Sequence, residues 1–120
     1  MKGFDPSTGL GYVQEGDYLE VTLPYARKSG EGVLVGSIFG VCVVDGAQND
    51  VINIHTESVY GLVAATGAGT DATQGAKAYW DNTNKRVTPV STNNTLIGVF
   101  AVAKATTDAA ARVKLNEAVV

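Results

Sequence analysis

The stretch Val33-Leu34-Val35-Gly36-Ser37-Ile38-Phe39-Gly40-Val41-Cys42-Val43-Val44 sets the narrowest limit on what this chain can become. Its β-branched residues resist a helix, because a second heavy atom on Cβ crowds the preceding turn. Gly36 and Gly40 interrupt the run, and a missing Cβ permits either a tight bend or the close approach of another backbone. The expectation is two short strands rather than one long one. Upstream, Leu19, Val21 and Leu23 alternate with Tyr18, Glu20 and Thr22, the period of a half-buried strand that Pro24 ends. Downstream of a loop at Asp45 to Asp50, residues Val51 to Val59 alternate again, with an extension through Tyr60 to Ala64 left open. Ala76 to Trp80 and Arg86 to Val90 read as a hairpin around Asp81 to Lys85, and Thr95 to Ala103 pairs with Ala111 to Leu115. Residues 65–76, rich in Gly, Thr and Ala, are expected to hold one helical or 3₁₀ turn around Asp71 to Gln74. About six to nine short strands, with a turn roughly every 8–12 residues, predict a mainly β fold: a small single-domain β-barrel or β-sandwich. No internal repeat stands out in the sequence.

Length allows one such domain. A chain of 120 residues and 12.4 kDa folds to a surface of about 6,000 Å² from about 18,000 Å² extended, enough for a core without metal or disulfide staples. Cys42 is the only cysteine, which excludes an intrachain disulfide and a cysteine metal cage. Nine basic against twelve acidic residues give a net charge of -3, so nucleic acid is not an expected partner. No run approaches the roughly 18 apolar residues that span a bilayer, and the start of the chain lacks the apolar stretch of a signal peptide, so no membrane partner is expected either. Residues 1–13, with Phe4, Leu10 and Tyr12 among glycines and small polar groups, read as an extended N-terminal arm that needs a surface to lie against, and 14–120 as the β-rich domain.

Catalytic readings find little support. His55 and Glu57 share a face of the predicted strand, but a lone His and Glu supply neither three metal ligands nor an oriented nucleophile. Cys42 sits in an apolar run and reads as a small buried hydrophobe. Gly67-Ala68-Gly69-Thr70-Asp71-Ala72 matches a dinucleotide fingerprint in letters only, since no helix of several turns follows and no acid ends the next strand. Asp5, Asp17, Asp45, Asp50, Asp71, Asp81 and Asp108 lie in or beside predicted turns, where a side chain bonding its own backbone accounts for them. No catalytic, cofactor-binding or metal-binding residue is therefore assigned, and no cofactor is expected. Trp80 beside Asp81 reads as a core ring whose indole nitrogen reaches a turn, while Tyr25 and Tyr60 are candidate interface residues.

The order of segments is more specific than any motif. Gln14-Glu15-Gly16-Asp17, the run from Ser29 to Val41, Gly75-Ala76-Lys77-Ala78-Tyr79-Trp80-Asp81, Lys85-Arg86-Val87-Thr88, Asn94 to Val99 and Ala111 to Asn116 resemble, in that order, the DUF2190 family of tailed-phage and prophage proteins. The resemblance covers roughly residues 14–116. Members often carry a RecA/RadA-type recombinase label, but the family is regarded as capsid decoration, or cement, proteins. A recombinase of that type needs a nucleotide loop and a larger parallel-sheet core, and this chain has neither in its sequence. The resemblance implies a non-enzymatic homotrimer, made in the host cytoplasm, that binds the major capsid protein on the outer surface of the expanded head and stabilises the capsomer lattice. Phe4, Leu10 and Tyr12 are then the candidate capsid contacts. Two alternatives remain at this stage: a tail or baseplate component, and a small enzyme using His55 and Glu57. The chain departs from the family at Tyr60-Gly61-Leu62-Val63-Ala64-Ala65, where an apolar-to-Pro-Lys phrase is common, and at Cys42, where Ala is common.

Overall fold

A computed structural model describes residues 18–115. Among the described residues nine antiparallel strands form two sheets: β1 Tyr18–Thr22, β2 Gly32–Val35, β3 Ile38–Cys42 and β4 Val51–His55 in the order β1-β4-β3-β2, and β5 Val59–Val63, β6 Lys77–Asp81, β7 Arg86–Thr88, β8 Thr95–Phe100 and β9 Ala110–Leu115 in the order β5-β9-β8-β6-β7. The mainly β expectation holds, as a sandwich-like pair of sheets rather than a closed barrel. The larger sheet curls until its edge strands touch, but they share only one parallel bridge, Ala64 to Val87, instead of a ladder.

Both options foreseen for the interrupting glycines are realised. Gly36 sits at φ +61° in the turn between β2 and β3, where a side chain would be strained. Gly40 lies within β3, and a Cβ there would stand 2.7 Å from Ile54 Cδ1 and 2.9 Å from the His55 carbonyl oxygen.

Three expectations need correction. The alternation from Val51 does not continue as one strand: it breaks at 56–58, where Ser58 takes φ +83°, and the two pieces enter different sheets. Residues 65–76 contain no helical or 3₁₀ turn; Gly67, Gly69 and Gly75, all at positive φ, make successive tight turns instead. The third concerns repetition. Residues 18–55 and 59–115 share one topology once the extra strand β7 is set aside, with β1, β2, β3 and β4 answering to β5, β6, β8 and β9. Loop bonds repeat as well: Arg27 pairs with Gly46 as Ala72 pairs with Lys104, and Gly30 N donates to Cys42 O as Gly75 N donates to Phe100 O. The two halves share letters at only a few of these positions, Gly30 with Gly75 at φ +88° and +87°, and the turn of Ala47 and Asp50 with that of Ala105 and Asp108, while the remaining bonds join backbone groups that most residues supply.

Alternating residues fill two cores. Val21, Leu23, Val33, Cys42 and Ile54 pack on one face of the first sheet. From its other face Phe39 and Val41 join Trp80, Phe100, Ile97, Val113 and their neighbours of the second sheet. The Phe39 and Trp80 rings, 4.9 Å between centroids and tilted by 52°, join the two halves; each buried ring contributes about 1.5–3 kcal/mol relative to exposure.

Candidate interaction surface

Short side chains tie down the polar loops: Asp50, Asp81 and Asp108 bond the backbone of their own turns, as the sequence reading expects, whereas Asp45 reaches across to another loop and Asp71 makes no such bond among the described residues. Asp45 accepts from Ser29 N, Asp50 from Ala47 N, Asp108 from Ala105 N, and Asp81 from both Thr83 N and Asn84 N. Asp5 and Asp17 lie outside the described residues. The Asn84 side-chain amide, donating to Asp81 at 2.9 Å, is the main cause of an Asp81 pKa below its ordinary value, helped by those backbone donors and by Arg86 nearby. A carboxylate shifted down on folding stabilises the fold above its unfolded pKa and loses that contribution as pH falls through the folded one. Asp81→Asn is therefore expected to lower the melting temperature at neutral pH and to converge on the wild type below about pH 4, the range of an ordinary aspartate, so that the acid limb of the profile flattens.

Trp80 is 2% exposed and donates its indole N–H to Asn82 Oδ1 at 3.1 Å, meeting the expectation of a core ring that reaches a turn. Tyr25, a sequence candidate for an interface, sits in the same cluster. Its hydroxyl donates to Asn82 Oδ1 at 2.9 Å and accepts from Leu34 N at 3.0 Å, while Lys85 and Arg27 approach its ring at 4.3 and 5.4 Å. The half-buried ring thus joins the β1–β2 loop to the β6–β7 hairpin, and each cation contributes about 0.5–1 kcal/mol at such an exposed site. It also covers an edge. Leu34 N and Gly32 O point away from β3, and the Tyr25 hydroxyl and Arg27 Nη1 occupy them.

Tyr60, the other candidate, lies between the halves. Its hydroxyl meets His55 Nδ1 at 2.5 Å, and Tyr18 stacks on the imidazole with centroids 4.4 Å apart. Burial raises the Tyr60 pKa, with Tyr18 adding to the effect. His55 and Glu57 are not brought together on one strand: β4 ends at His55, and Glu57 belongs to the link that follows. Cys42 is 1% exposed, and burial pushes its thiol pKa up, which disfavours a reactive thiolate. Among the described residues no three His, Cys, Asp or Glu side chains gather as a metal ion would need. Phe4, Leu10 and Tyr12 lie outside the described residues.

Lys104 was invisible to sequence reasoning as anything but a surface charge. It is 5% exposed, and its ammonium donates to Thr70 O at 3.0 Å and Ala105 O at 2.9 Å, anchoring the loop before β6 to the loop before β9. Lys104→Met keeps the stem but strands the Thr70 carbonyl, while Ala105 O keeps its bond from Asp108 N, and a loss of about 2 kcal/mol in a denaturant titration is expected. No sequence signal marks it; only the pairing of Ala72 with Lys104 turns the stem inward.

Exposed apolar side chains are scattered over the described surface: Ile38 at a hairpin tip, Val43 and Val44 in the β3–β4 loop, and Val59 and Val63 along β5. Interlocked turns, a buried thiol and an imidazole held between two tyrosines belong to a two-sheet β protein. The family model for phage cement proteins matches residues 13–115, and the chain belongs to that family of capsid decoration proteins, non-enzymatic structural components of the bacteriophage virion. Searches of curated proteins and of solved structures found no match.

Proposed function

We propose that this protein is added as a homotrimer to the outer surface of the expanded head, where it binds the major capsid protein and links neighbouring capsomers. The match to the cement family over residues 13–115 carries this reading. The protein is made in the host cytoplasm and acts mechanically. Lattice rupture must then break the added contacts as well, and many copies multiply a small energy per site, while linkage within a trimer raises the effective concentration of each contact. Residues 1–13 are the shell-binding arm in this account, with Phe4, Leu10 and Tyr12 as its apolar contacts and 14–120 as the folded body.

Mixing the purified protein with expanded empty heads of the encoding phage tests the reading. Saturable co-sedimentation, with density at local threefold positions by cryo-electron microscopy, is expected. No binding to heads, with density on tails instead, would make the protein a tail component. Deleting residues 1–13 is expected to lower head occupancy by at least about tenfold; unchanged occupancy removes the arm from the mechanism.

A further inference from the structure

We infer that the outer edge of β5, with the cationic face of β9 beside it, takes up an extended acidic segment of the shell protein as an additional strand. This rests on the cement reading and names the surface that carries it. The register fixes which backbone groups are free. Leu115 N donates to Ser58 O and Ala64 N donates to Ala109 O, so the bonded pairs with β9 fall at residues 58, 60, 62 and 64 of this strand. Val59, Gly61 and Val63 therefore aim their N–H and C=O groups away from β9. On that side β7 arrives only at the Ala64 bridge, next to Val63, so among the described residues the stretch around Val59 and Gly61 is an open edge.

The edge of β2 offers a contrast within the same molecule, because Tyr25 and Arg27 cap it. Exposed edges are ordinarily blunted by charge, proline or a bulge. This one carries Val59 at 51% and Val63 at 63% exposure with Gly61 between them, and β5 has no charged residue or proline. A cavity of about 370 Å³ opens beside Gly61 and Val63, bounded across the gap by Gly32, Trp80 and Lys85.

Charge selects the occupant. Val59 pairs with Lys114 and Gly61 with Arg112 across the sheet, and Lys114 pairs onward with Val99, itself opposite Lys77. Lys77, Arg112 and Lys114 are exposed, and the ion pairs of the described residues engage Arg27 with Glu31 and Arg86 with Asp81 instead. A chain with net charge -3 thus concentrates on one face cations without an ion-pair partner among the described residues, which suits an acidic partner. A second copy pairing through β5 would set two sets of these cations on one continuous sheet, so self-pairing is disfavoured. Strand addition derives its affinity from main-chain bonds and its selectivity from alternate side chains.

The test uses the full chain and expanded heads of the encoding phage. Gly61→Pro removes an outward N–H that no internal ladder bond uses, and a Cβ at 61 meets nothing within 4 Å. Gly61→Pro, and separately Arg112→Glu with Lys114→Glu, are expected to weaken head binding at least about tenfold, with the melting temperature held. In the wild type, hydrogen exchange at Val59 and Gly61 is expected to slow at least about tenfold on heads, which keeps the idea testable if the proline variant misfolds. Wild-type binding without protection at 59–63, or full binding by a folded Gly61→Pro variant, overturns the edge assignment and leaves the cement reading intact. Protection already present in the free protein assigns the edge to a second copy and overturns it too. Failure of the wild type to bind heads overturns the cement reading itself.

Discussion

Gly98→Ala is expected to destabilise the protein by about 3 kcal/mol and to lower its melting temperature by roughly 12 °C, whereas Gly61→Ala should change it by only a degree or two. The two glycines lie in neighbouring regions of one sheet and differ in what surrounds them. A Cβ at Gly98 would stand 2.0 Å from the Lys114 carbonyl oxygen, and 3.0 Å from the carbonyl carbon behind it. Those atoms belong to β9, whose Lys114 is already held between Val59 and Val99, so relief would require a central strand to move. Register between β6 and β8 shifts at Ala78 and Tyr79, directly opposite, and the irregularity there draws the Gly98 backbone close to β9. At Gly61 the space is open. Equal losses for both variants, read by thermal unfolding, would show that strand propensity rather than this contact governs glycine in the second sheet.

How much of this was legible depends on whether side chains or backbone set each feature. Strand positions were legible because Leu19, Val21 and Leu23, or Ala78 and Trp80, alternate with polar partners, and the period of two survives in the letters. The hairpin at Asp81 to Lys85 was legible for the same kind of reason, since Asp81 does in its turn what short polar side chains do. The break at Ser58 was not, because its neighbours alternate straight through it and only a backbone angle separates the sheets. The twofold repetition of topology was hidden because most of the bonds that define it join main-chain atoms, which leaves only Gly30 with Gly75 and the Ala47 to Asp50 turn with the Ala105 to Asp108 turn as widely spaced matching letters. Tyr25 and Tyr60, the candidate interface residues, are each anchored within the chain, to Asn82 and to His55. The open edge of β5 carried no warning at all: VYGLV reads as an ordinary strand until the register shows which of its groups point outward.

Trp80→Ala should cost more than any other single truncation, about 4 kcal/mol, in a protein whose total stability is expected to be of order 5–15 kcal/mol. Three separate losses converge on this ring. Trp80 is the largest of the fully buried side chains, so its removal opens a cavity in the principal core. Phe39 loses the tilted contact through which the first sheet packs on the second, and the interior face of Gly32, where Trp80 Cη2 lies 3.1 Å from a Cβ position, loses its cover. Asn82 keeps its bond from Tyr25 but loses the indole donor, loosening the hairpin that also carries Lys85 onto the Tyr25 ring. Trp80→Phe restores much of the volume but not the donor, so a smaller loss of about 1–2 kcal/mol is expected, and Asn82→Ala should lose about 1–2 kcal/mol through the bonds alone. Because both substitutions act on one hydrogen bond, Trp80→Phe combined with Asn82→Ala should cost less than the sum of the two. Denaturant titration of the four proteins measures that coupling directly. Full additivity would mean that the ring holds the halves by packing alone and that the indole bond to Asn82 contributes nothing to the joint.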